Sequence, residues 1–174
     1  MKKDKNFKNI EKMFAAVCGL YCEACSWYIA TTEEPERLKR LSKQMNFSEA
    51  ESKCYGCRSH KRLPYCENCK MFACANDRGI DFCSECDEYP CNILKQFQSA
   101  MPHRIELFDN LDQIKSVGYK QWLNDIKTKY TCSKCQSINS TYDLKCRKCG
   151  LEPSCNYVTE HRQQIEDYLR KRNT

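Results

Sequence analysis

Glycine and proline are scarce in this chain of 174 residues, with five of each. That scarcity excludes a collagen-like or low-complexity polymer. Histidine is scarcer still: His60, His103 and His161 are the only three, and none sits in a recognisable catalytic motif. No Ser-His-Asp set, Gly-rich phosphate loop or metalloprotease helix can be traced. No stretch approaches the roughly 20 apolar residues that a membrane span needs. The run Met13 to Tyr21 (MFAAVCGLY) is only nine residues long and follows Glu11 and Lys12 directly, which argues against a secretory segment, and Val17 before Cys18 argues against lipid attachment. Ordinary apolar residues are also few. The apolar fraction is 41% with cysteine and about 32% without it, thin for a self-sufficient core. The length allows one domain, or one domain with a small appendage, and no large barrel.

What the chain has in excess is cysteine, 16 residues of it. Cysteines staple a chain through disulfides or through metal, and the compartment decides which. We expect a cytoplasmic chain with reduced thiols, where paired cysteines serve as metal ligands. The clearest pattern is Cys132-x2-Cys135-x10-Cys146-x2-Cys149. A Cys-x2-Cys turn brings two thiolates to one tetrahedral ion, and two such turns close a four-thiolate structural site that leaves no position for water. Gly150 follows the second turn, while Gln136 stands after the first, where Gly is common.

A denser cluster lies upstream. Cys66-x2-Cys69-x4-Cys74 recurs as Cys83-x2-Cys86-x4-Cys91, an internal repeat. Cys54-x2-Cys57 precedes it, and Cys18-x3-Cys22-x2-Cys25 opens the region. These eleven cysteines fall one short of three closed four-thiolate sites. Cys155, His60 or His103 could supply the twelfth ligand, or one site could be open.

Two resemblances follow from these motifs. The ribbon resembles the zinc finger of the Ran-binding-protein type in its spacing, in Tyr130 two residues before the first Cys, and in Asn139 four after the second. Neither the Arg pair of that family's RNA-binding members nor the Thr-Phe of its ubiquitin-binding members is present. Upstream, CGLYCEACSWYIAT, CYGCR and YCENCKMFACANDRGIDFCSECDEYPCNILKQF closely resemble the family known as domain of unknown function 3795, over roughly residues 16–125. That resemblance implies a small zinc-binding protein without an established activity. It also implies that Cys18, Cys22, Cys25, Cys54, Cys57, Cys66, Cys69, Cys74, Cys83, Cys86 and Cys91 act together as ligands.

The remaining pattern is helical. Glu23 to Thr32 and Pro35 to Met45 read as helices, the second striped by Leu38, Leu41 and Met45. Residues 92–130 read as three more. The first carries Ile93, Leu94, Phe97 and Met101. The second is entered at Pro102, carries Ile105, Phe108, Leu111 and Ile114, and stops at Gly118. The third carries Tyr119, Trp122, Leu123, Ile126 and Tyr130. Residues 157–172 read as a last amphipathic helix with Val158, Ile165 and Leu169 on one side. Trp27 and Trp122 are expected in the core. The expected architecture is a small metal-stabilised protein of helices and loops. Residues 1–16 form a basic lead, 17–130 a multi-Cys metal module with three following helices, 131–155 a zinc ribbon with a short β-hairpin, and 156–174 a terminal helix that docks back. Two to four ions, zinc first, hold it together.

Three functional classes fit. The first is a non-enzymatic metal-stabilised module with a protein partner and no membrane. The second is an iron–sulfur protein, since all-thiolate sites suit iron as well as zinc; the spacing of Cys18, Cys22 and Cys25 is also that of the radical-enzyme cluster loop, although no barrel accompanies it. The third is RNA binding, through Arg147-Lys148 and Arg170-Lys171-Arg172. A thiol-chemistry role would need an unligated cysteine, and Cys155, outside every paired motif, is the spare. The formal charge of +6 bears on the RNA reading. Each zinc held by four thiolates contributes a net charge of about −2, so the basic character fades as sites fill.

Overall fold

The computed structural model describes residues 10–98 and 101–173. Lys2, Lys3, Lys5 and Lys8 of the basic lead lie outside the described residues. A 3-10 turn over Ile10–Phe14 leads into the chain's most buried stretch, Ala15, Ala16, Val17 and Cys18, all 5% exposed or less. The short apolar run is therefore core. It is a tight reversal: Ala16 N–H donates to Leu20 O at 3.0 Å and Gly19 N–H to Ala16 O at 3.0 Å. Gly19 has φ +82°, and a Cβ there would meet Leu111 Cγ at 2.8 Å and Leu107 O at 3.0 Å. Only glycine lets this reversal press so closely against the helix beneath it.

Nine α-helices follow among the described residues: α1 (Ser26–Thr32), α2 (Pro35–Met45), α3 (Glu49–Ser52), α4 (Pro64–Glu67), α5 (Lys70–Arg78), α6 (Asn92–Gln98), α7 (Leu107–Val117), α8 (Tyr119–Tyr130) and α9 (Asn156–Asn173). Helix α2 starts at Pro35, as expected, and closes on Asn46 in the left-handed conformation. Helices α7 and α8 form a hairpin about Gly118, which ends one helix and opens the next. The stripe on α8 is core: Trp122, Ile126 and Tyr130 are 0%, 4% and 5% exposed. Trp122 also donates from Nε1 to Asn110 Oδ1 at 3.2 Å, which satisfies its one polar group. Val158 and Ile165 of α9 are fully buried in the same cluster. This core runs from Ala15 to Ile165, so the last helix packs on the same core as the first loop.

Several expectations are corrected. The helix expected from Glu23 is broken at Cys25. A 3-10 turn covers Cys22–Ala24, Cys25 is extended (φ −72°, ψ 130°), and α1 starts only at Ser26. Met101 is extended rather than helical, and a 3-10 turn over Pro102–Arg104 precedes α7. Ile93 is 43% exposed rather than part of a buried stripe. Trp27 is half-buried, not core. Helix α9 is kinked at His161, whose backbone leaves helical values (φ −117°, ψ 19°). The ribbon's β-hairpin is absent among the described residues: a single bridge, Thr131 to Ile138, is all the pairing there. Side chains take the backbone groups a ladder would use. Ser140 N–H donates to Asp143 Oδ2 at 2.8 Å, Tyr142 N–H to Ser140 Oγ at 3.2 Å, and Arg147 N–H to Asn139 Oδ1 at 2.9 Å.

Candidate metal centre

The C-terminal cysteines form two turns with the same backbone pattern. Gln136 N–H donates to Cys132 O at 3.0 Å, and Gly150 N–H to Cys146 O at 2.9 Å. Cys132 N–H donates to Ser137 O at 2.9 Å, and Cys146 N–H to Leu151 O at 2.7 Å. The fifth residue of each turn is left-handed, Gln136 at φ 61° and Gly150 at φ 73°. Gln136 thus adopts the conformation for which Gly is usual.

These turns bring four sulfurs together. Cys132 Sγ lies 3.7 Å from Cys149 Sγ, and Cys135 Sγ 3.5 Å from Cys146 Sγ, with all four within 4.8 Å of one another. Four sulfurs held at ~2.3 Å around a tetrahedral ion would stand about 3.8 Å apart. The cysteines are free, so the spacing is not that of disulfides. The donor set is sulfur alone, which suits a soft or borderline ion. The electrostatics ask for a cation as well. Burial opposes a charge on Cys146, but the Ser137 hydroxyl and the Cys149 and Lys148 amides outweigh it and hold its pKa down to about 5. The Leu151 amide favours a thiolate at Cys149. Desolvation and hydrogen bonds to the other three thiols nonetheless push it up to about 11. Cys135 is also held below the ordinary thiol value, by the Ser137 hydroxyl and amide, so the cluster favours thiolate at Cys135 and Cys146 and opposes it at Cys149.

The unit is anchored from within and without. Asn139, 0% exposed, takes the Arg147 amide and donates from Nδ2 to Ser137 O at 3.1 Å and Ser154 O at 3.4 Å. Tyr130 stacks on Tyr157 with ring centroids 4.7 Å apart. The two residues that carried the finger resemblance are therefore the staples of this unit. Outward, Arg37 grips Asp143 with NH1 at 3.3 Å and NH2 at 2.6 Å. Arg147, its side chain 4% exposed, pairs with Glu33 at 2.8 Å and Glu34 at 3.0 Å, and Lys148 reaches Glu33 at 3.5 Å. Through these ion pairs Arg147 and Lys148 tie the C-terminal cysteine unit to the α1–α2 junction. In the tail, Arg170 pairs with Asp167, and Arg172 donates to Gln44 Oε1 at 3.0 Å.

The eleven upstream cysteines are placed differently. Among the described residues, no three of their sulfurs lie within 4.8 Å of one another. They are neighbours all the same. Cys57 N–H donates to Cys22 Sγ at 3.3 Å. Burial raises Cys18 well above the ordinary thiol value, with the Cys57, Cys69 and Cys83 thiols adding to it. Burial raises Cys22 likewise, helped by Cys57, Cys25 and Cys54. Burial and Cys54 push Cys25 up to about 11, against the Trp27 and Tyr28 amides that open α1. Cys25 stands at the N-cap of α1 with the extended backbone usual for that position. Gly56 (φ +108°) sits where a Cβ would strike Met13 O at 2.8 Å, so the Cys54–Cys57 turn packs directly on the 3-10 turn before the core.

The candidate extra ligands are accounted for. His103 is half-buried between Tyr142 Oη, 2.6 Å from Nδ1, and Arg104, which donates to Nε2 at 3.2 Å. Burial and the Arg104 charge hold its pKa down to about 3. His60 stacks near Tyr55 at 6.4 Å and is exposed. Cys155 is buried ahead of α9, with the Tyr157 and Val158 amides and the Ser154 hydroxyl on its sulfur. Its local role is to cap that helix. A second group, Glu106, Glu160 and His161, also clusters. There Lys129 pairs with Glu106 and, at 2.7 Å, with Glu160, so a side-chain cation already occupies the centre.

The molecule is thus a small, mostly helical, cysteine-rich protein with a four-thiol centre that can hold a metal ion. The sequence profile of a family described as "Protein of unknown function (DUF3795)" matches residues 14–96. The match supports placing this segment in that family; helices α7 and α8 and the C-terminal thiol centre lie beyond it. No curated protein and no solved structure matches the chain. No helix among the described residues is long and apolar enough to cross a membrane.

Proposed function

We propose that this is a zinc-stabilised, non-enzymatic interaction module of the family its first half matches. Cys132, Cys135, Cys146 and Cys149 hold one structural zinc ion, and the eleven upstream cysteines supply further ligands. The observation that carries the reading is the four-sulfur centre, built by two equivalent turns and wired into the rest of the molecule through Asn139, Arg147 and Asp143. A closed four-thiolate shell leaves no open position for water or substrate, which fits a structural rather than a catalytic ion. A core with few ordinary apolar residues fits the same reading, because a structural zinc ion contributes ~10–16 kcal/mol of apparent binding free energy at neutral pH. The C-terminal unit is a zinc ribbon related in spacing, and through Tyr130 and Asn139, to the Ran-binding-protein type. The partner is a protein: the burial of Arg147 removes the strongest phosphate-binding candidate from solvent.

Metal analysis of anaerobically purified full-length protein tests this. The expected result is a colourless protein with bound zinc, part of which is lost in Cys135→Ser. A brown protein containing iron and sulfide, or a folded wild-type chain without metal, would overturn it.

A further inference from the structure

Four of the upstream cysteines, Cys74, Cys83, Cys86 and Cys91, line one cavity. Cys74 comes from α5, which closes at Gly79 in the left-handed conformation and turns the chain back. Cys83 and Cys86 bracket a 3-10 turn, in which Cys86 N–H donates to Cys83 O at 3.2 Å. Cys91 directly precedes α6 and accepts the Lys95 amide at 3.1 Å. We propose that these four thiols form a second, separate site for a single zinc ion.

Size supports this. The cavity holds about 30 Å³, room for a guest the size of one or two waters. Sites for small organic ligands run to several hundred Å³. Chemistry supports it as well. Besides the four thiols the lining is aliphatic, with the thioether of Met71 and the ring of Tyr89, whose hydroxyl is bonded away to Asp112 Oδ1 at 2.7 Å. Sulfur is the only donor left to face a guest, which selects a thiophilic ion over calcium or magnesium.

Charge supports it too. Four thiolates around a divalent ion carry a net charge of about −2. The Arg78 guanidinium stands at this rim, donating to Cys86 Sγ at 3.3 Å and bonding Cys74, while its other arm holds Glu88 at 2.7 Å. Between Cys83 and Cys86, Ser84 is fully buried with its hydroxyl unpartnered. The sulfurs stand wider apart than in the C-terminal centre, so the ion gathers them by side-chain rotation as the thiol protons leave.

This assignment cuts across the sequence repeat. Cys74 parts from Cys66 and Cys69 and joins the second repeat. Seven cysteines then remain around Cys18, Cys22, Cys25, Cys54, Cys57, Cys66 and Cys69, one short of two closed sites.

The inference rests on the zinc reading above, and its test separates the two. Zinc per chain is measured for full-length wild type, Cys135→Ser and Cys86→Ser, and cobalt spectra are recorded for wild type and Cys91→His. Cys86→Ser should lose about one zinc and keep the ion that Cys135→Ser loses. Cys91→His should keep its full complement, with cobalt bands shifted by the change from four sulfurs to three sulfurs and one nitrogen. Zinc lost from Cys135→Ser but not from Cys86→Ser, or an unshifted Cys91→His spectrum, overturns this site alone. A chain that binds no zinc overturns both readings. If Cys86→Ser does not fold, the Cys91→His spectrum decides.

Discussion

The C-terminal centre and the upstream cluster are built from the same Cys-x2-Cys turns, yet only the C-terminal four bring their sulfurs within 4.8 Å of one another. In the C-terminal centre both turns lie within one short segment. Backbone bonds shape each turn, and Arg147 joins them through its amide to Asn139 Oδ1 and its Nε to Ile138 O. Upstream, partners come from loops and helices spread over residues 18–91, and only tertiary packing can join them. The comparison separates two sources of order. One centre is written in local backbone geometry. The other depends on the core and on the close approaches at Gly19 and Gly56.

Substitutions can break or sharpen this contrast. The largest effect is expected from Cys146→Ser. An ion present at a thousandfold its dissociation constant stabilises by about 4 kcal/mol, so its loss should lower the melting temperature by roughly 8–16 °C in a chain of this size. Cys54→Ser should cause a comparable loss if the upstream cluster is metallated too; an unchanged melt there would confine the metal to the C-terminal centre. Asn139→Ala should cost about 2–4 kcal/mol in chemical denaturation, because it strands the Arg147 amide and the Ser154 carbonyl. Gly19→Ala should cost about 2–3 kcal/mol, through its positive φ and the close approach of Leu111. Arg147→Gln should cost about 1–2 kcal/mol, since its carboxylate partners stay partly in solvent.

A further effect concerns acid. His103 is held well below its ordinary pKa, so the unfolded state binds its proton first. Its contribution is full above the ordinary histidine value of about 6.5 and falls as the pH drops from there towards about 3. His103→Gln should therefore flatten the pH dependence of stability relative to wild type across that window. Parallel curves for the two proteins would contradict this account of His103.

Much of the molecule was legible where signals are local. Pro35, Gly118 and the apolar stripes placed α2, α7 and α8 because caps and periodicity act within one helix. The C-terminal thiol centre was legible for the same reason. Helix α3 left a signal that went unread, a Ser48–Glu51 capping box. The β-hairpin was misread because Asn139, Ser140 and Asp143 satisfy the backbone with side chains, and ribbon spacing does not report this. The docking role of Arg147 and the mixing of the two cysteine repeats are tertiary, set by which surfaces meet. Asn139 stood in the motif as a match, and only its burial reveals why that residue is there.

The most direct test of the central claim is thermal melting of the full-length protein before and after zinc removal by a chelator under reducing conditions. The account predicts that the chelated chain loses its cooperative transition near the native temperature and regains it when zinc is restored. A metal-free chain that melts cooperatively at the native temperature would contradict it.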